Sequence, residues 1–98
     1  MDLEKTGLSK DVIYSLKNIA DKYNKYEFYI FGSRAKGTYK KTSDIDIAVF
    51  EEVIDEDKFK IMNEFDLLNI IYKVDLVFIN EKIKKELLYS IKENRIKL

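Results

Sequence analysis

The chain has 98 residues, of which 46% are hydrophobic and 37% charged, and 18 Lys and Arg balance 18 Asp and Glu. These values predict one globular domain over residues 1–98, with no global charge that would attract nucleic acid or an anionic membrane. Cysteine and histidine are absent, which excludes disulfides, thiolate sites, histidine-based triads and most zinc sites.

The first half of the chain predicts a helix, a strand and a short helical piece. Apolar residues at helical spacing predict a helix from residue 9 to about residue 23, with Ser9 as its N-cap. The aromatic and β-branched run at 28–31 predicts a strand that is closed by Gly32. A short helical piece over residues 34–39, ending near Gly37, would follow.

The second half predicts a strand, a helix, a strand and a helix. A strand over about residues 44–50 would carry Ile45, Ile47 and Val49 on one face and Asp44, Asp46, Ala48 and Phe50 on the other. After an acidic connection at 51–57, a helix is predicted from Phe59, Met62 and Phe65, with Ile61 and Leu68 beside them. The order is completed by a strand at 74–79 and a helix from 81 to about 93, which has Ile83, Leu87, Leu88 and Ile91 on one stripe. Residues 95–98 are too short to assign. The pattern predicts an α/β (α+β) domain with a small sheet flanked by helices.

Two short motifs carry the chemistry. Phe31-Gly32-Ser33 is followed, after ten residues, by Asp44-Ile45-Asp46-Ile47. Strand residues two apart share a face, so Asp44 and Asp46 could hold one divalent cation. Gly32 and Ser33 would lie at a strand-to-helix turn, where amide groups and a hydroxyl can receive phosphate oxygens.

A third acid, Asp75, lies in the strand-like run Lys73-Val74-Asp75-Leu76-Val77 and could complete the site. Two Mg²⁺ ions held by such carboxylates can activate an attacking oxygen and neutralise a leaving pyrophosphate. Three close carboxylates repel each other, so at least one pKa should be raised until a metal binds. The combination predicts nucleotidyl transfer.

Each motif taken alone has a simpler interpretation. A Gly-Ser pair after a strand is usually only a turn, an Asp-x-Asp pair can be a surface or capping feature, and Asp75 could discourage aggregation at a strand edge. The basic residues Arg34, Lys36, Lys40 and Lys41 could form a solvated loop or a phosphate-binding surface. The compatible positions of all the motifs favour the functional interpretation.

The segments Phe31-Gly32-Ser33-Arg34-Ala35-Lys36-Gly37, Ser43-Asp44-Ile45-Asp46-Ile47 and Lys73-Val74-Asp75-Leu76-Val77 closely resemble the DNA polymerase β-like nucleotidyltransferase superfamily. Within it, the whole chain resembles the minimal nucleotidyltransferases of bacteria and archaea. The resemblance implies a small mixed sheet, Asp44, Asp46 and Asp75 as catalytic metal ligands for Mg²⁺, and Gly32, Ser33, Arg34 and Lys36 as nucleotide-binding residues. Lys36 stands where many members have Arg, which keeps the charge but loses the bidentate fork.

Such small proteins commonly pair with a helical HEPN-domain ribonuclease toxin. The resemblance therefore implies an antitoxin that transfers AMP from ATP to a toxin tyrosine, with no direct binding of nucleic acid. The alternatives are an antitoxin that only masks its toxin, and nucleotidyl transfer to a small molecule or an RNA end. The start Met1-Asp2-Leu3-Glu4 lacks a signal-peptide pattern and the apolar runs are too short for a membrane span, so we expect a cytoplasmic protein.

Overall fold

The elements follow the predicted order, with a 3-10 helix added at the start and a short strand at the end. A computed structural model describes residues 2–98, so Met1, where the predicted domain begins, lies outside the described residues. After the 3-10 helix Asp2–Thr6, the described chain forms helices α1 (Lys10–Lys22), α2 (Ser33–Lys36), α3 (Asp55–Asp66) and α4 (Lys85–Glu93), and strands β1 (Glu27–Phe31), β2 (Ile45–Phe50), β3 (Val74–Phe78) and β4 (Ile96–Lys97). None of these helices is long and apolar enough to cross a membrane.

The strands form one mixed sheet in the order β3-β2-β1-β4. β1 is antiparallel to both β2 and β4, whereas β2 and β3 are parallel. A parallel pair needs a long crossover connection, and α3 provides it. The predicted α/β class with a small mixed sheet is confirmed, and β3, which carries Asp75, is an edge strand of this sheet.

Alternating side chains divide the sheet into two faces. Ile45, Ile47 and Val49 of β2 are fully buried in the main core, together with residues of α1 and α3. Ala48 points to the other face, where it packs with Phe31 and with Ile91 of α4. Asp46 shares this second face with Ala48, because strand residues two apart point the same way.

Two tyrosine–carboxylate pairs connect the end of α1 to α3. The Tyr23 hydroxyl donates to Glu64 and the Tyr26 hydroxyl donates to Asp57, each at 2.5 Å. Lys22 and Lys25 lie 3.0 and 3.1 Å from the same carboxylates. At the other end of α1, the Ser9 hydroxyl accepts a bond from the Val12 amide at 3.3 Å, which confirms the predicted N-cap.

The predicted apolar face of the second main helix is partly wrong. Ile61 and Phe65 are buried, but Phe59 is 74% exposed and Met62 is 45% exposed. α3 begins earlier than predicted, at Asp55 within the predicted acidic connection. Its buried residues are Ile61 and Phe65, four positions apart, and they define the stripe that faces the core.

The ends of the last two elements also differ from the prediction. α4 begins at Lys85 rather than at residue 81, because the Asn80 side chain accepts the Lys82 amide at 2.8 Å and stabilises a turn there. Leu87, predicted on the apolar stripe, is 38% exposed. The unassigned end of the chain forms β4, which pairs with β1 over only two residues.

The tyrosine–carboxylate pairs predict a loss of stability in acid. Hydrogen bonds from Tyr26 and Lys25 lower the pKa of Asp57. Burial acts to raise the pKa of Glu64, but hydrogen bonds from Tyr23 and Lys22 outweigh it and lower that pKa. Folding therefore favours both ionised forms, and their stabilisation is lost as the pH falls below the ordinary pKa values of 3.8 and 4.5. In thermal unfolding, Tyr23→Phe/Tyr26→Phe should be less stable than wild type at pH 7, with a smaller difference at pH 3. Tyr14→Phe, which changes an exposed tyrosine, is the control, and an equal difference at both pH values would contradict the prediction.

Candidate active site

The predicted Gly-Ser turn joins β1 to α2. Gly32 has φ 72° and ψ −150°, a backbone conformation that is essentially restricted to glycine. Its carbonyl accepts the amides of Ala35 and Lys36 at 3.1 and 3.0 Å. Gly37 ends α2 in the left-handed conformation. The strand, turn and short helix expected from the sequence are therefore present, and α2 starts at Ser33, one residue earlier than predicted.

The Gly32 backbone lies directly against the Asp46 carboxylate. In the β1–β2 ladder, Asp46 is opposite Phe31, the residue that precedes Gly32. A Cβ built on Gly32 would overlap Oδ2 of Asp46 and approach its Cγ to 3.3 Å. Glycine is needed at this position both for its backbone conformation and because the carboxylate occupies the space of a side chain.

Two of the three predicted acids are paired in the sheet, and the third lies just before it. Asp46 and Asp75 occupy the same register of the parallel β2–β3 pair, and exposed Asp44 immediately precedes β2. The pKa of Asp46 is raised, first by burial and then by the charges of Asp75 and Asp44. The predicted rise of one pKa is confirmed, although burial contributes more to it than repulsion does.

The acids do not form a ready-made metal cage. Among the side chains described in residues 2–98, no group of three acids is close enough to hold one ion. Asp75 instead makes an ion pair with Lys73 at 3.5 Å. Lys73 was given no role in the predicted site, although its position two residues before Asp75 indicates that both side chains point to one side.

The donor set is nevertheless chemically suited to Mg²⁺. Carboxylate oxygens are the ligands this ion takes in proteins, and a cation near Asp44, Asp46 and Asp75 would offset their mutual repulsion. Rotation of Asp75 away from Lys73 would make its oxygens available. These are the residues that would hold the metal.

Asp75 is accessible from the edge of the sheet. Together with Met62 and Asp66 of α3 it lines an open cavity of about 220 Å³. Larger cavities of 440 to 520 Å³ on the described surface are lined by other residues and contain none of the three acids. The smaller cavity is also lined by Val74, Leu76 and Phe78, which pack on the α3 side of the sheet. Asp75 therefore borders it from the sheet edge, while Asp46 lies on the opposite face with Ala48.

The predicted nucleotide-binding residues have different environments. Ser33 is partly exposed at the start of α2, and Lys36 is exposed at its end. Arg34, in contrast, is 1% exposed, and its N–H groups donate to the carbonyls of Thr6, Lys41 and Ser43. We therefore correct the expectation for Arg34: its guanidinium is occupied by the protein backbone, whereas Gly32, Ser33 and Lys36 remain predicted phosphate-binding residues.

Comparisons with known proteins cover this region. The protein family described as "Polymerase beta, Nucleotidyltransferase" matches residues 14–98. The chain is also 44% identical over 64 residues to the Methanocaldococcus jannaschii protein named "Putative protein adenylyltransferase MJ1215", across 62% of this chain and 72% of that relative. The family match includes every residue proposed above for the site.

The Gly32–Asp46 contact predicts different effects for two glycine substitutions. Both Gly32 and Gly37 have positive φ, but a Cβ on Gly37 would meet nothing within 4 Å. Gly37→Ala should therefore lower the free energy of unfolding by only about 1–2 kcal/mol. Gly32→Ala should cost more in urea unfolding and, by displacing Asp46, should also weaken Mn²⁺ binding measured by electron paramagnetic resonance. Equal effects of the two substitutions on both measurements would contradict the assigned contact.

Proposed function

Because this chain belongs to the polymerase beta nucleotidyltransferase family, we propose that it is a Mg²⁺-dependent protein adenylyltransferase that transfers AMP from ATP to a tyrosine of a HEPN-domain ribonuclease toxin. The protein would thereby act as an antitoxin. The observation that carries the chemistry is the shared register of Asp46 and Asp75, beside a glycine turn that contacts Asp46. The name of the archaeal relative supports transfer to a protein.

The proposed reaction exchanges a phosphoanhydride bond of ATP for a phosphoester bond to the acceptor. The tyrosine oxygen bonds to the α-phosphorus of ATP, the bond from that phosphorus to the α–β bridging oxygen breaks, and pyrophosphate leaves. The hydroxyl proton passes to Asp75, whose side chain is 42% exposed, so that the proton can be released to water. Mg²⁺, when bound, supplies the positive charge that offsets the negative charge of the triphosphate.

The protein's own residues divide the remaining tasks. Asp44, Asp46 and Asp75 would hold the metal, and the Gly32–Ser33 backbone and the Ser33 hydroxyl would receive phosphate oxygens. The exposed Lys36 would add positive charge near the triphosphate. These contacts would orient the α-phosphorus toward an incoming hydroxyl, which is a large part of catalysis in phosphoryl transfer.

The position of Asp75 favours a macromolecular acceptor. Asp75 lies on an edge strand and its side chain is 42% exposed. A tyrosine on another protein can therefore approach this carboxylate from the open edge of the sheet. Attached AMP would bring a negative charge and a bulky nucleoside to the toxin, which would block access of an RNA backbone to its cleft.

A second candidate function is masking of the toxin without catalysis. Phe59 and Met62 expose apolar surface on α3, and Met62 also lines the cavity beside Asp75. Such a surface would suit protein binding. Masking needs one antitoxin molecule for each toxin molecule, whereas an enzyme could silence many. The two functions therefore differ in the measurable ratio of silenced toxin to added antitoxin.

The test is to incubate the protein with ATP, Mg²⁺ and a HEPN partner and to measure the intact mass of the partner. We expect mass increments of AMP, and Asp44→Asn or Asp46→Asn should slow their appearance by at least about a hundredfold. Asp21→Asn, an exposed acid on α1, should leave the rate unchanged. A partner that is silenced without any increment would instead indicate masking, and undiminished transfer by Asp46→Asn would overturn the assignment of the acids.

A further inference from the structure

A buried arginine lies immediately after Ser33, in the turn proposed to bind phosphate. The Arg34 guanidinium lies over the rings of Tyr39 and Tyr72, at 5.0 and 4.6 Å from their centroids. Its hydrogen-bond acceptors are backbone carbonyls, and no described carboxylate forms an ion pair with it. Because burial of a charge is costly unless it is compensated, these carbonyls and rings are what hold the guanidinium in place.

The guanidinium contacts segments that lead to both acid-bearing strands. Its Nε and Nη2 both donate to the Ser43 carbonyl, at 3.2 and 3.0 Å, and Ser43 directly precedes Asp44. On its other side, Tyr72 lies in the segment that leads into β3 and Asp75. One side chain therefore connects the phosphate-binding turn to the start of β2 and to the approach to β3.

The opposite side of Arg34 is anchored to the N-terminal segment. Nη1 donates to the Thr6 carbonyl at 2.8 Å. The ring of Tyr39 packs so closely on Gly7 that a Cβ there would overlap the ring. These contacts restrict the movement of the guanidinium and of Tyr39.

Residues 37–44 contain no helix or strand, and the amides of Gly37 and Thr38 join the start of the segment to the Ser33 carbonyl. Their internal bonds, from the Lys40 amide to the Ser43 hydroxyl and from the Ser43 amide to the Lys40 carbonyl, close a turn within the segment. Arg34 attaches that turn to the rest of the protein. Lysine would keep the charge but could not reproduce the fork of donors or the planar stacking.

We propose that Arg34 is a positioning residue that fixes Asp44 relative to Asp46 and Ser33 by holding the Ser43 carbonyl. The inference rests on the proposed function for the identity of the reaction. The holding of residues 37–44 is a property of this chain and can be measured without ATP, metal or acceptor.

The test compares Arg34→Met and Arg34→Lys with the control Arg95→Met. Arg95 is exposed and also lies over two rings, those of Tyr29 and Phe50, at 4.4 and 5.1 Å from their centroids. The control therefore removes a ring-stacked guanidinium that is exposed rather than buried. In Arg34→Met, hydrogen exchange over residues 37–44 should be at least about tenfold faster, with the sheet unchanged. The turnover number should fall at least about thirtyfold while the Kd for ATP changes by less than about threefold, and Arg34→Lys should lie between Arg34→Met and wild type.

Chemical rescue separates positioning from a general loss of structure. Added ethylguanidinium should restore part of the turnover of Arg34→Ala but none of that of Asp44→Asn. Wild-type exchange and turnover in folded Arg34→Met or Arg34→Lys would overturn the proposal, as would a loss of turnover that only follows the unfolded fraction. If wild-type protein transfers no AMP but Arg34→Met still accelerates exchange over residues 37–44, the proposed function fails and the holding role of Arg34 is supported.

Discussion

The parallel pairing of β2 with β3 sets two carboxylates, Asp46 and Asp75, at the same register of the sheet. Like charges at neighbouring sheet positions are destabilising, and partial burial adds to the cost at Asp46, whose pKa is raised by burial and by both other acids. A cation bound between these strands would offset the repulsion. The sheet register and the proposed metal chemistry are therefore linked, because the carboxylate pair that repels in the metal-free fold is the pair proposed to bind the cation.

The backbone around Asp46 is arranged to accommodate this pair. Gly32 leaves the space that the Asp46 carboxylate occupies, and its positive φ redirects the chain from β1 into α2. Arg34, two residues later, donates to the carbonyl that precedes Asp44. The short segment from Gly32 to Arg34 thus contacts Asp46 and the residue before Asp44, in addition to offering the turn proposed for phosphate.

The sequence predicted the parts of the site that follow from period-two alternation and from turn chemistry. Alternation in β2 separated buried Ile45 and Ile47 from Asp46, and the structure agrees. The environment of Arg34 could not be predicted, because its acceptors are backbone carbonyls of Thr6 and Ser43. Every residue has a backbone carbonyl, and both of these residues are far from Arg34 along the chain, so the sequence does not mark them as partners. Tertiary packing likewise left Phe59 exposed, although its spacing suited a helix core. Local patterns specified the elements and the acids, and long-range contacts specified the rest.

The most direct test of this account is a carboxyl carbon NMR titration of Asp46 in the metal-free protein. We expect a pKa above the ordinary value of 3.8 and a fall toward that value in Asp75→Asn, because one repelling charge is removed. Added Mg²⁺ should lower the apparent pKa, since the cation favours the ionised form. A shift should persist in Asp75→Asn because burial is the largest cause. An ordinary pKa for Asp46 in wild type, unchanged by Asp75→Asn and by Mg²⁺, would contradict the central claim that these acids form one electrostatically coupled metal site.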